Sequence, residues 1–201
     1  MKLIAITLEN RVGGEENLIN QLFEAGLDSL HLRKPLLGRE AVGEILQLIH
    51  PDFYNRIVLH DYFELLDDFP LKGVHLNGRN PQAPEKKGIS LSRSCHSFDE
   101  LQASASLDYM FLSPIFDSIS KQGYQRAYTH EQLTEAHKQG IINKNVYALG
   151  GIDGTTIPQV AQYGFGGVAV LGALWGNFEK DNDNQEVLER FRHLTNKCNQ
   201  E

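Results

Sequence analysis

Short apolar runs return along the chain at near-regular intervals, separated by segments whose apolar positions recur every three or four residues. The runs are LIAITL (3–8), SLHLR (29–33), IVLHD (57–61), GVHL (73–76), GISLS (88–92), YMFLS (109–113), NVYALGG (145–151) and GVAVLG (167–172). Near-continuous runs of this kind suit parallel strands buried on both faces. Helical patterns fall between them at 15–24, 38–49, 98–103, 131–138, 156–163 and 185–194. Ser97 ahead of Asp99 and Glu100, and Thr129 ahead of Glu131, mark two helix starts. A hydroxyl there accepts an orphan backbone N–H, and acids favour the positive end of the dipole. The stretch 62–87 is weaker, with a short helix expected from Tyr62 to Asp68 and a loop from Asn77 to Lys87.

Eight strands in 201 residues leave about 25 residues per strand–helix unit, which fits a small (β/α)8 TIM barrel better than a six-stranded doubly wound sheet. The predicted fold class is therefore α/β, a (β/α)8 TIM barrel, with residues 1–201 as one domain. In such barrels the chemistry gathers where the strands end at their C-terminal side.

Composition narrows the function. A formal net charge of -7 and a pI near 5.6 speak against a nucleic-acid partner, because duplex binding depends on many basic side chains at phosphates. The opening apolar run is interrupted by Glu9 and Arg11 and no stretch approaches a membrane span, so a cytoplasmic protein without membrane contact is expected. The two cysteines, Cys95 and Cys198, give neither a disulfide framework nor a metal-knuckle spacing.

The polar residues that end the strands are the candidates. His31 and Arg33 share a strand face, and if that face is the barrel interior both look into the mouth; the alternative is a surface HxRK cluster. Asp61 can hold Mg2+ through oxygen, although one carboxylate alone makes a poor magnesium site and the residue can equally cap a helix. His96 is a candidate general acid or base, because imidazole is the side chain suited to proton transfer near neutral pH, or a structural residue ahead of a helix. Cys95 reads more simply as a small buried filler and Ser97 as an N-cap. The loop SPIFDSISKQGYQRAY (113–128) carries Ser118, Ser120 and Lys121, groups that can clasp phosphate oxygens from a lid. Gly150 and Gly151 after the seventh strand, with a helix starting near Gly172 after the eighth, can form a phosphate cradle of backbone N–H groups.

Taken in order, these segments resemble the thiamin phosphate synthase and TenI family over essentially the whole chain. HLRKP resembles the family's Gln-Leu-Arg-x-Lys, LHD its Asn-Asp, and GVHLNGRN its Gly-x-His-Leu-Gly-x-x-Asp. SRSCHS resembles Ser-x-His-Ser/Thr, DYMFLSPIFDSISK resembles Asp-Tyr-x-x-x-Gly-Pro-x-Phe-x-Thr-x-Thr-Lys, and ALGGI with GVAVLGAL resemble the phosphate-binding end. For a synthase, which joins a pyrimidine methyl pyrophosphate to thiazole phosphate with Mg2+, the resemblance implies Arg33 and Lys121 on pyrophosphate, Asp61 on Mg2+ and Ser94 at the leaving group. Ser118, Ser120, Gly150, Gly151 and the Gly172 turn would grip thiazole phosphate.

Several positions depart from that pattern. The motif lysine falls on Pro35, the second metal-binding acid on Asn80, the Gln on His31, the Asn on His60 and the Ser of the last turn on Gly172. Losing an anionic oxygen and a cation weakens the Mg2+ and pyrophosphate half more than the thiazole phosphate half. That asymmetry resembles the TenI branch, which aromatises a carboxylated thiazole phosphate by moving a proton and needs no cofactor. Its catalytic histidine would be His96, with His31 grouped among the substrate-binding residues or, with His60, in a second proton relay. The expected activity is a thiazole tautomerase, with a Mg2+-dependent synthase as the alternative and a non-catalytic thiazole or thiamin phosphate-binding regulator as a third reading. The sequence leaves oligomeric state open and compatible with a homo-oligomer.

Overall fold

The computed structural model describes residues 1–117 and 127–201. Eight parallel strands close into a barrel in sequence order. They are β1 (Lys2–Ile6), β2 (Ser29–Leu32), β3 (Ile57–Leu59), β4 (Gly73–Leu76), β5 (Ser90–Cys95), β6 (Tyr109–Leu112), β7 (Val146–Leu149) and β8 (Gly167–Val170). The helices are α1 (Glu15–Glu24), α2 (Arg39–Leu48), α3 (Phe98–Ala103), α4 (His130–Lys138), α5 (Ile157–Ala161), α6 (Gly172–Trp175), α7 (Phe178–Asp181) and α8 (Asn184–Asn199). Among these described residues no helix is long and apolar enough to cross a membrane.

The eight predicted strands all form, with shifted ends. β5 starts at Ser90 and continues to Cys95, so Arg93, Ser94 and Cys95 belong to the strand and not to the loop after it. Tyr62 to Asp68 becomes a 3-10 turn over Phe63–Asp67, and a second 3-10 turn, Pro51–Arg56, precedes β3. Ser97 accepts from the Glu100 N–H, and Thr129 with Gln132 forms a reciprocal capping box. α7 was not signalled by periodicity, since FEKD carries one apolar residue, the buried Phe178.

The period of two sorts each strand into an outward residue packed under helices and an inward residue in the barrel. Leu3 and Ala5, Leu30 and Leu32, Met110 and Leu112, and Val168 and Val170 face the helical layer. Ile4, Ile6, Tyr109, Phe111, Tyr147 and Ala169 form a separate apolar cluster inside. Apolar character on both faces therefore holds for β1 and β6 to β8. The interior positions of β2, β4 and β5 carry instead the buried Ser29, His31, His75 and Ser92, with His60 just past β3. The indole Nε1 of the buried Trp175 donates to the Ile6 carbonyl at 2.6 Å and ties α6 to β1 at the barrel mouth.

Candidate active site

A cavity of about 360 Å³ opens at the C-terminal end of the strands, as the barrel geometry requires. Arg33, Ser94, His96, Gly150, Gly151 and Gly172 line it, together with His60 and His75. The period of two along β5 turns Ser94 inward, where its hydroxyl lies 3.0 Å from His75 Nε2. Arg33 pairs with Glu9 through a 2.6 Å contact at the rim. Ser118, Ser120 and Lys121 lie outside the described residues.

His96 is anchored from three sides while its ring stays accessible. Its N–H donates to Glu100 at 2.8 Å, its carbonyl accepts from the Tyr128 hydroxyl at 2.7 Å, and Nδ1 lies 3.0 Å from the Ser113 carbonyl. A carbonyl only accepts, so this contact selects the tautomer with hydrogen on Nδ1 and leaves the Nε2 lone pair for other chemistry.

Across the cavity, Gly150 and Gly151 follow β7 with φ of 93° and 65°. A Cβ on Gly150 would stand 2.9 Å from Pro114 Cα, and one on Gly151 would stand 2.4 Å from the Asp117 carbonyl oxygen. The pair is thus held to glycine both by backbone conformation and by the close approach of the segment after β6. α6 begins at Gly172, on the same rim.

Asp61 is not a helix cap: Tyr62 occupies that place, at φ 56°. Its carboxylate instead accepts from Arg79 Nε at 2.9 Å, from Arg79 Nη2 at 3.0 Å and from the Asn80 amide at 3.0 Å. Asn77 and Asn80 both donate to the His60 carbonyl, at 2.6 and 3.1 Å, which pins the segments after β3 and β4 together. A resident magnesium ion favours several anionic oxygens, and here the one acid is already paired with a cation and has an amide in place of a second acid. Among the described residues, the only grouping of three or more His, Cys, Asp or Glu able to share a metal is His31, His60 and His75, which has no carboxylate. These residues do not fit a resident Mg2+.

His31 lies below the cavity and is wholly buried. Its Nδ1 is 2.9 Å from His60 Nε2, and its Nε2 is 2.6 Å from the Tyr109 hydroxyl. Burial pushes the pKa of His31 and His60 well down, neighbouring His75 adds to the effect, and burial lowers His75 to about 3. Lys34 turns away from the mouth altogether. Its ammonium is buried against Glu15, at 2.5 Å, and the Asn10 carbonyl, at 2.6 Å. Sequence reasoning did not anticipate the Arg79–Asp61 fork or the inclusion of His75, although Arg79 and His75 both lie in the GVHLNGRN segment.

The family described as thiamine monophosphate synthase matches residues 3–174. A thiamine-phosphate synthase from Photorhabdus laumondii is 29% identical over 169 residues, covering 78% of this chain and 76% of its own. One from Shigella dysenteriae is 30% identical, covering 78% of each. The crystal structure of a thiamine phosphate pyrophosphorylase from Bacteroides thetaiotaomicron superposes with a TM-score of 0.91 at 40% identity, over 100% of this chain and 99% of that one.

Proposed function

We infer function from one premise: the chain belongs to the thiamine monophosphate synthase family, which includes the TenI proteins. It is an enzyme of thiamine biosynthesis. We propose that the mouth cavity binds a thiazole phosphate, its phosphate against the backbone of Gly150 and Gly151 and the Gly172 turn, with Ser118, Ser120 and Lys121 as further phosphate ligands. Arg33, Ser94 and His31 complete the substrate-binding set, His31 acting from below through His60.

The observation that carries the choice of reaction is the engagement of Asp61 by Arg79, with Asn80 in place of a second acid. It favours chemistry without a metal, namely proton transfer that aromatises a carboxylated thiazole phosphate. His96 Nε2 takes a proton from the non-aromatic ring, and the imidazolium returns it to the atom at the far end of the shifted double bonds, so the substrate keeps its formula. The Ser113 carbonyl on Nδ1 stabilises that imidazolium.

A second reading rests on a different observation. All three relatives above carry the name of the coupling enzyme, so the comparisons favour joining a pyrimidine methyl pyrophosphate to thiazole phosphate over tautomerisation. In that reaction Arg33 and Lys121 would meet pyrophosphate, Ser94 the leaving group, and Asp61 a Mg2+ ion arriving with the pyrophosphate, whose oxygens would supply the ligands that the resident site lacks. Two assays on the purified chain decide: aromatisation of the carboxythiazole phosphate, and coupling with and without Mg2+. Aromatisation without coupling supports the first reading; Mg2+-dependent coupling overturns it in favour of the second.

A further inference from the structure

Three histidines meet inside the barrel without a role in the proton transfer assigned to His96. Register places them there. His31 on β2 pairs with Val58 on β3, Val58 pairs with Gly73 on β4, and the next inward positions up those two strands are His60 and His75. The nitrogens these rings can offer lie within 4.8 Å of one another.

The arrangement has the parts of a metal site. Non-histidine groups hold rings from behind: the Tyr109 hydroxyl on His31 Nε2 and the Ser92 hydroxyl on His75 Nδ1, while His75 Nε2 meets the Ser94 hydroxyl, which a bound ion would displace. Such outer contacts fix the tautomer and orientation of metal-binding imidazoles. Facing inward, His31 Nδ1 and His60 Nε2 stand 2.9 Å apart. A tetrahedral ion bound at about 2.0–2.1 Å sets its nitrogens about 3.3 Å apart, so this pair needs to separate by only a few tenths of an ångström, whereas His75, stacked on His60 with ring centroids 4.3 Å apart, has to turn its Nε2 from Ser94 toward the ion. Two of the nearby cations are paired with acids, Arg33 with Glu9 and Arg79 with Asp61. His60 and His75 also line the mouth cavity, which leaves a fourth coordination position facing the substrate space.

We propose that His31, His60 and His75 form a site for a borderline divalent transition metal, such as Zn2+ or Co2+, with its open position at the floor of the mouth cavity. Three neutral imidazoles and no carboxylate select such ions over Mg2+ or Ca2+. The proposal does not depend on which reaction the cavity performs.

The test uses the full chain without a histidine tag, stripped with chelator and titrated with Co2+ and with Zn2+. One ion per chain, intense visible d–d bands from Co2+ and a Zn2+-dependent rise in Tm are expected. H60N, whose ring borders the cavity, should weaken binding by more than about tenfold, and Y109F, which keeps all three ligands, by about 10- to 100-fold. H193N, on the surface of α8, should leave binding unchanged. Circular dichroism separates lost binding from lost folding, and should H60N not fold, Y109F carries the test. Absence of Co2+ binding to the native chain, or binding indifferent to H60N and Y109F, overturns the proposal and leaves the trio as a hydrogen-bonded histidine cluster.

Discussion

Arg79 grips Asp61 through both carboxylate oxygens, Nε to Oδ1 at 2.9 Å and Nη2 to Oδ2 at 3.0 Å. A bidentate fork of this kind is among the stronger polar contacts available to a protein. It gives the carboxylate a cationic partner with which a magnesium ion would have to compete. The D61N variant is therefore expected to keep aromatisation within about twofold of the native rate, with no response to Mg2+. Loss of turnover in D61N together with a Mg2+ requirement in the native chain would transfer the assignment to coupling.

His96 is the second prediction. Replacing it by Asn removes the proton acceptor while the anchors at Glu100 and Tyr128, which act on its backbone, are retained. Single-turnover aromatisation should fall by about 10²- to 10⁴-fold, the usual range for general acid–base catalysis, with substrate affinity little changed. An H96N enzyme with full turnover would remove His96 from the reaction.

The Lys34–Glu15 pair predicts a stability effect. Both side chains are fully buried, and burial pushes Glu15 up and Lys34 down while their attraction opposes both shifts. Lys34→Met leaves a buried carboxylate without its cation and should cost about 3–5 kcal/mol in urea denaturation. The double change Lys34→Met with Glu15→Gln should recover part of that loss.

Buried His75 predicts how stability responds to acid. Its folded pKa of about 3 lies below the ordinary value of 6.5, so the unfolded chain binds the proton first. The stability from keeping it neutral is complete above about pH 6.5 and declines as pH falls toward the folded value. Over pH 4–6 the native chain should lose up to about 1.4 kcal/mol per pH unit from this group, and H75N should show a shallower slope in the same denaturation series.

At Gly151, a methyl group would meet the Asp117 carbonyl and Phe116 at a backbone φ of 65°. Gly151→Ala should therefore destabilise the fold by about 1–3 kcal/mol. It should also raise KM for the phosphorylated substrate more than it lowers kcat, because it displaces backbone N–H groups and leaves His96 in place.

Periodicity alone determined much of this protein. Eight apolar runs with helical spacers specified the barrel, its strand order and the rim on which Arg33, Ser94, His96 and the glycines stand, because side-chain period and short connections leave few other foldings. The ordered motifs, from HLRKP to GVAVLGAL, carried the family. Tertiary structure decided what those residues touch. Period two says that His31 points inward, but only the stagger between β2, β3 and β4 brings it to His60 and His75, which lie 29 and 44 positions further along the chain. Lys34 and Arg33 are neighbours in sequence just past β2, yet one is buried with Glu15 and the other pairs with Glu9 at the rim, a division that the tertiary partners make and no local pattern shows. Asp61 could cap a helix or bind a metal on sequence grounds. The loop after β4 carries Arg79 back across 18 positions to meet it, a contact that depends on loop path and not on local pattern.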